Sequence, residues 1–199
     1  MRIRIPKPRN PVAQRQLELR RNLWPEATDE WLWSRHRHDG FTTIPKGMPL
    51  ILSIMDDMSN GKPVSSTYFG LWCRTFDECF VTLSKPREMA FHAGFDGQRA
   101  ERTWRGRLAI LAEHQFISLA EGPSGPMSYA LIWNPYKVIK WHHEQKSPGL
   151  RQDKYNALLE RVSEIGDNSM ADDPPSPSVV QPPSNWPNGV DPNAKVQEA

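Results

Sequence analysis

Ser84-Lys85-Pro86-Arg87-Glu88-Met89-Ala90-Phe91-His92-Ala93-Gly94-Phe95-Asp96-Gly97 is followed at once by Gln98-Arg99-Ala100-Glu101-Arg102-Thr103-Trp104-Arg105-Gly106-Arg107-Leu108-Ala109-Ile110-Leu111. The first half reads as a short helix. Ser84 is its expected cap, Pro86 fits only a first turn, and Gly94 supplies a left-handed stop. Phe95-Asp96-Gly97 reads as a tight turn, with the aromatic directed inward and Asp96 placed to cap the next helix. The second half reads as that longer helix, running from Gln98 and carrying Arg99, Arg102, Arg105 and Arg107.

At about 100° per residue from Gln98, Ala100, Trp104, Leu108 and Leu111 fall within one sector of roughly 80°, the expected core side. Gln98, Arg99, Arg102, Arg105 and Gly106 lie opposite, with Arg107 flanking the core sector. Glu101 is the only acid until the helix's end. Two helices joined by a short Gly-containing turn form a helix-turn-helix, whose second helix enters the major groove of DNA. A donor-rich face opposite a packed face suits that task. Solvated surface arginines are the bland alternative.

Downstream, Ser118-Leu119-Ala120-Glu121, the loop Gly122-Pro123-Ser124-Gly125-Pro126 and Met127-Ser128-Tyr129-Ala130-Leu131-Ile132-Trp133 read as a β-hairpin. Upstream, Val81-Thr82-Leu83 reads as a small strand. Over about Pro49 to Pro135, this order of elements resembles the winged helix-turn-helix family. Apolar positions such as Met89, Ala90, Phe95, Leu108, Leu111, Phe116 and Ile117 carry the resemblance. It implies a mainly α fold with a β-hairpin wing that binds double-stranded DNA, as a transcriptional regulator or an accessory replication or maintenance factor. Gln98, Arg99 and Arg102 would then contact base edges. Arg105 and Arg107 would hold phosphates, as would Lys85 and Arg87 at the start of the preceding helix. The hairpin tip departs from the family's habit, because it carries no charge and Glu121 stands beside it. A protein–protein adaptor built on the same scaffold is the rival reading.

The flanks extend this core. Pro49 to Met58 shows apolar residues at helical spacing (Leu50, Ile51, Ile54, Met55, Met58), ended by Asn60-Gly61. From Ser65, the stripe Tyr68, Leu71, Trp72, Thr75, Phe76 and Cys79 predicts one long core helix. Asn134-Pro135 starts a helix through about Glu144. Tyr155, Leu158, Leu159, Val162 and Ile165 form a further stripe, in a helix that either packs back or pairs with a copy of itself. The resemblance makes a homodimer the expectation in the second case.

Among the first 21 residues, Arg2, Arg4, Lys7, Arg9, Arg15, Arg20 and Arg21 face one acid, Glu18. Pro6, Pro8 and Pro11 keep the start extended, while Val12 to Asn22 suits a helix. Such an arm can track phosphates or enter a minor groove, and Arg2 and Arg4 are its candidate contacts. Trp24, Trp31 and Trp33 read as packing anchors rather than base-stacking platforms, with Thr28 capping a helix over Asp29 to Arg35. The organisation expected is therefore an arm over 1–22, a winged domain with its helical extension over 23–146, an amphipathic helix over 147–165, and a disordered tail over 166–199.

Charge supports this division. The 199 residues carry a net +2, but the seven-proline tail from Gly166 carries five acids and one base. It therefore holds −4, leaving +6 on residues 1–165, and a basic body with an acidic tail fits a nucleic-acid partner. Cys73 and Cys79 offer no disulfide framework or metal spacing, and no apolar run suggests a membrane span or signal core. A cytoplasmic protein is expected. His36, His38, His142 and His143 lie in separate segments without cysteine partners, so no metal is expected. His142 and His143 instead read as helix-end charges or phosphate contacts. Asp56-Asp57 and Asp77-Glu78 read as helix-end or solvent-facing acids. No phosphate loop, serine elbow or HExxH appears, so neither an enzyme nor a cofactor is expected.

Overall fold

The structure is a computed structural model that describes residues 10–170, except 28, 29, 31, 77 and 124. Arg2, Arg4 and the tail from residue 171 onward lie outside the described residues. The chain divides into two compact units, Met1–Thr43 and Ile44–Ala199.

In the first unit, helix α1 spans Pro11–Leu23, with Asn10 accepting a hydrogen bond from the Val12 amide at 2.8 Å. The expected helix over Asp29 to Arg35 is not formed by the residues described there. Ser34 instead folds a turn, its hydroxyl accepting from the His36 amide and its carbonyl from that of Arg37. Trp33 stacks on His38 and meets the edge of Phe41, both with ring centroids 6.2 Å apart.

The second unit is mainly α, with a small three-stranded antiparallel sheet. Helix α2 (Met48–Met58) buries Met48, Ile51, Ile54, Met55 and Met58 on one side. Its Asp56 carboxylate turns outward to cap the next helix, accepting from the amides of Val64 and Ser65 at 2.7 and 2.8 Å. Helix α3 (Ser65–Trp72) buries Thr67, Tyr68 and Leu71. It is shorter than the apolar stripe predicts. The Thr75 hydroxyl donates to the Trp72 carbonyl and closes the last turn, Cys79 takes a positive φ, and Phe76 is 85% exposed. The chain must unwind here to reach strand β1 (Phe80–Thr82).

Two helices follow, α4 (Pro86–His92) and α5 (Ala100–Glu113), then β2 (Ile117–Gly122) and β3 (Gly125–Ile132). β3 is central, paired with β1 through Val81↔Ala130 and with β2 through Leu119↔Ala130. The hairpin is tighter than expected. Gly122 pairs with Gly125, and a Cβ on Gly122 would overlap the Tyr129 ring.

Helices α6 (Pro135–Glu144) and α7 (Gln152–Glu164) complete the unit. Asn134 caps α6 as expected. α7 packs on α2, burying Tyr155, Leu158 and Val162, while Lys154 reaches Asp57 and the Ser53 hydroxyl, each at 2.6 Å. The turn between α6 and α7 crosses α2 closely. Gly149, at φ +86°, leaves only 3.0 Å between a hypothetical Cβ and the Met58 Cα. Three residues of the apolar stripe of α7 are thus buried inside its own unit, while Leu159 and Ile165 are only partly covered. Order also continues past Gly166. Met170 is 6% exposed within the core, and its carbonyl accepts from Lys140. The tail expected from Gly166 therefore has one packed residue near its start, Met170, whose apolar side chain anchors it.

Candidate functional site

The turn between α4 and α5 is built from its glycines. Gly94, at φ +84°, donates to the Phe91 carbonyl, and Phe95 donates to that of Ala90, both at 3.0 Å. These two bonds satisfy the last carbonyls of α4, and only a residue tolerant of left-handed backbone allows them. Phe95 packs against the core, as its apolar ring requires. The caps differ from those the sequence suggests. Lys85, not Ser84, is the N-cap of α4, and Arg99, not Asp96, is the N-cap of α5, neither with a side-chain capping bond. The helix starts at Ala100, so Gln98 and Arg99 belong to the turn before it.

Trp104, Leu108 and Leu111 are buried and fix the rotation of α5. That rotation sets Arg102, Thr103, Gly106, Arg107 and Ile110 along one flank, with Arg99 in the turn before them. Lys62, from the loop between α2 and α3, stands across from them. Together they line an open groove of about 480 Å³. Four of the seven lining residues are cations and none is an acid, so any ligand seated there meets a concentrated positive field. The Nε of Arg107 is buried there without a hydrogen-bond partner.

The cations beside the other flank of α5 are paired with carboxylates. Glu101 accepts from Arg105 Nε at 3.0 Å and lies 3.7 Å from Arg87 Nε. Glu88 pairs with Lys85 at 3.4 Å and with Arg74 at 3.1 Å, while Arg74 also meets His92 Nδ1 at 2.8 Å. The hydrogen bond from Arg74 holds the Glu88 carboxyl below the usual carboxylate range. Such exposed pairs add little to stability, but they occupy the cations they hold.

The nominated residues therefore separate into groups. Arg99, Arg102 and Arg107 come together in the groove, and Gln98 is exposed in the turn beside Arg99. Arg105, Arg87 and Lys85 are held by carboxylates, and Arg2 and Arg4 lie outside the described residues. Sequence reasoning missed Lys62. It stands far from α5 along the chain, and no periodicity connects a loop lysine to a helix face.

Several other residues prove structural. His142 is buried, its Nε2–H donating to the His114 carbonyl at 2.9 Å and its Nδ1 accepting from the Ser147 hydroxyl at 2.8 Å. A carbonyl only accepts, so this pattern specifies the neutral Nε2–H tautomer. Burial pushes its pKa below the ordinary histidine value. His143 stacks flat on Tyr155 at 3.8 Å. The expected helix-end charge or phosphate role fails for His142, which has no exposed surface to offer, and His143 is occupied by its stacking. Asp56 and Asp57 serve the cap and the Lys154 pair, rather than facing solvent alone.

Among the described residues, no group of three or more histidines, cysteines or carboxylates is arranged to hold a metal, and no helix is long and apolar enough to cross a membrane. Comparison with protein-family models, curated proteins and solved structures gives no match to this chain.

Proposed function

We propose that the chain binds double-stranded DNA, with the groove flank of α5 set into the major groove. The carrying observation is the acid-free groove lined by Lys62, Arg99, Arg102 and Arg107. The order α3, β1, α4, α5, β2, β3 supports a winged helix-turn-helix reading of the fold. In this reading Arg102, with Arg99 and Gln98 beside it, reaches base edges, and an arginine bidentate to guanine adds about 1–3 kcal/mol of discrimination. Arg107 and Lys62 hold phosphates, while Arg105, Arg87 and Lys85 contribute only after exchanging their carboxylate partners. The role is that of a transcriptional regulator or an accessory replication or maintenance factor. Cys73 and Cys79, both free and exposed, suit a reducing cytoplasm.

The test is selection from a random duplex library at about 150 mM salt, followed by sequencing. Enrichment of a motif establishes a sequence reader, and a palindrome would add a dimer. Retention that depends only on salt, with no motif, removes the specific reading.

A second reading, a protein–protein adaptor, has its own support in the outer face of the sheet. Phe80 is 47% exposed and stacks on Tyr129 at 5.5 Å, opposite the half-exposed Leu131. The uncharged hairpin tip favours it too. Failure of motif enrichment would turn the search toward a partner for that face.

A further inference from the structure

Gly106 lies in the interior of the 14-residue α5, where glycine destabilises a helix relative to alanine. Nothing in the folded chain asks for it. Its φ is not positive, and a Cβ built there meets no atom within 4 Å. At Gly122, by contrast, neighbouring side chains exclude a Cβ, and at Gly94 the positive φ disfavours one. Gly106 nevertheless lines the cationic groove, together with Arg102, Thr103, Arg107 and Ile110 of α5 and Lys62. The space above it is open to a ligand and to nothing else in the described unit.

We infer that Gly106 is the point where a sugar–phosphate strand of the bound DNA comes closest to α5. The missing side chain lets the strand lie against the helix backbone while Lys62 and Arg107 close on its phosphates. This rests on the DNA reading above and adds a residue to it that carries no charge and donates nothing. The inference requires stability and binding to move in opposite directions at one position. A glycine idle in the complex would let stability rise with binding unchanged.

The experiment uses the full chain and three variants, Gly106→Ala, Gly106→Leu and Lys62→Ala, each measured for thermal midpoint and for affinity to a duplex over a salt series. Gly106→Ala should raise Tm by about 2–4 °C, the shift expected for a helix-propensity gain of this kind in a chain of this size. Its duplex affinity should fall by about tenfold, a steric loss that Gly106→Leu should deepen. Lys62→Ala should lower affinity evenly across sequences and reduce the salt slope by about 1. Unchanged affinity in Gly106→Ala, with wild-type protein binding and Tm raised, overturns the inference and leaves the DNA reading intact. A fall in Tm for Gly106→Ala also overturns it, since the glycine would then serve the fold. Wild-type protein showing no salt-sensitive binding to duplex overturns both.

Discussion

Arg107→Ala and Arg105→Ala remove the same group from positions two residues apart on one helix, yet they should behave differently. Arg107 lines the open groove, whereas the Arg105 guanidinium is held at 3.0 Å by Glu101 on the other flank. If Arg107 and Lys62 each neutralise one phosphate, together they contribute about −1.8 to the slope of log affinity against log salt. Between about 50 and 200 mM salt that is a loss of about 12-fold. Without Arg107 the contribution falls to about −0.9 and the loss to about 3.5-fold. Without Arg105 the slope should stay near the wild-type value, because Glu101 already holds that guanidinium. Fluorescence anisotropy with a labelled duplex over that salt range reads both slopes. Equal flattening by the two variants would refute the division of α5 into an open and a paired flank.

Three further outcomes are expected. Leu158→Ala should cost about 2–5 kcal/mol in chemical denaturation without changing the sedimentation behaviour of the folded protein, since Leu158 is buried against α2 and not on a free face. The buried His142 has its folded pKa pushed down, so the unfolded chain binds its proton first. Its contribution is complete above the ordinary histidine value of about 6.5 and drains away as pH falls below it. Denaturation midpoints of wild type and His142→Gln should therefore converge as pH drops through that range, and parallel curves would count against the assignment. Arg102→Ala should weaken cognate binding more than binding to scrambled DNA, whereas Arg4→Ala should lower both alike. Equal losses on both duplexes for both variants would end that distinction.

The rotation of α5 was legible because Trp104, Leu108 and Leu111 sit at helical spacing on a helix with few competing apolar residues. The stop at Gly94 was legible for a different reason, since a left-handed residue after a short apolar helix has one common use. The length of α3 was misleading. Thr75, Phe76 and Cys79 continue the apolar period of Tyr68, Leu71 and Trp72, but Phe76 stays exposed and the backbone breaks to reach β1. Periodicity reports which side chains could share a face, not whether a face exists to receive them. His142 was misplaced for a related reason. Its carbonyl partner, His114, comes from the end of α5, and only the tertiary fold brings the two together. The pairings of Arg105 with Glu101 at i,i+4 and of Lys85 with Glu88 at i,i+3 were readable from spacing alone, and local rules could have refined both site assignments.

The groove itself depends on a residue that touches none of its lining. Asp56 accepts the amides of Val64 and Ser65 through its carboxylate, and its backbone carbonyl takes the Ser59 hydroxyl at 2.7 Å. The Ser59 carbonyl in turn accepts from the Lys62 amide at 3.1 Å. The loop that carries Lys62 is thereby pinned at both ends to the last turn of α2, whose other side is anchored in the core. One wall of the groove is set by that loop and the other by the packing of Trp104 and Leu108, so two independent parts of the core fix the separation of the cations. A ligand that needs this spacing meets it already formed, and the ordering cost of bringing Lys62 opposite Arg102 is met in folding rather than in binding. That arrangement explains how a chain of such small net charge can present a strong local field. Glu101 and Glu88 are drawn to the cations on the far flank of α5, Asp56 holds the loop, and no acid lines the groove.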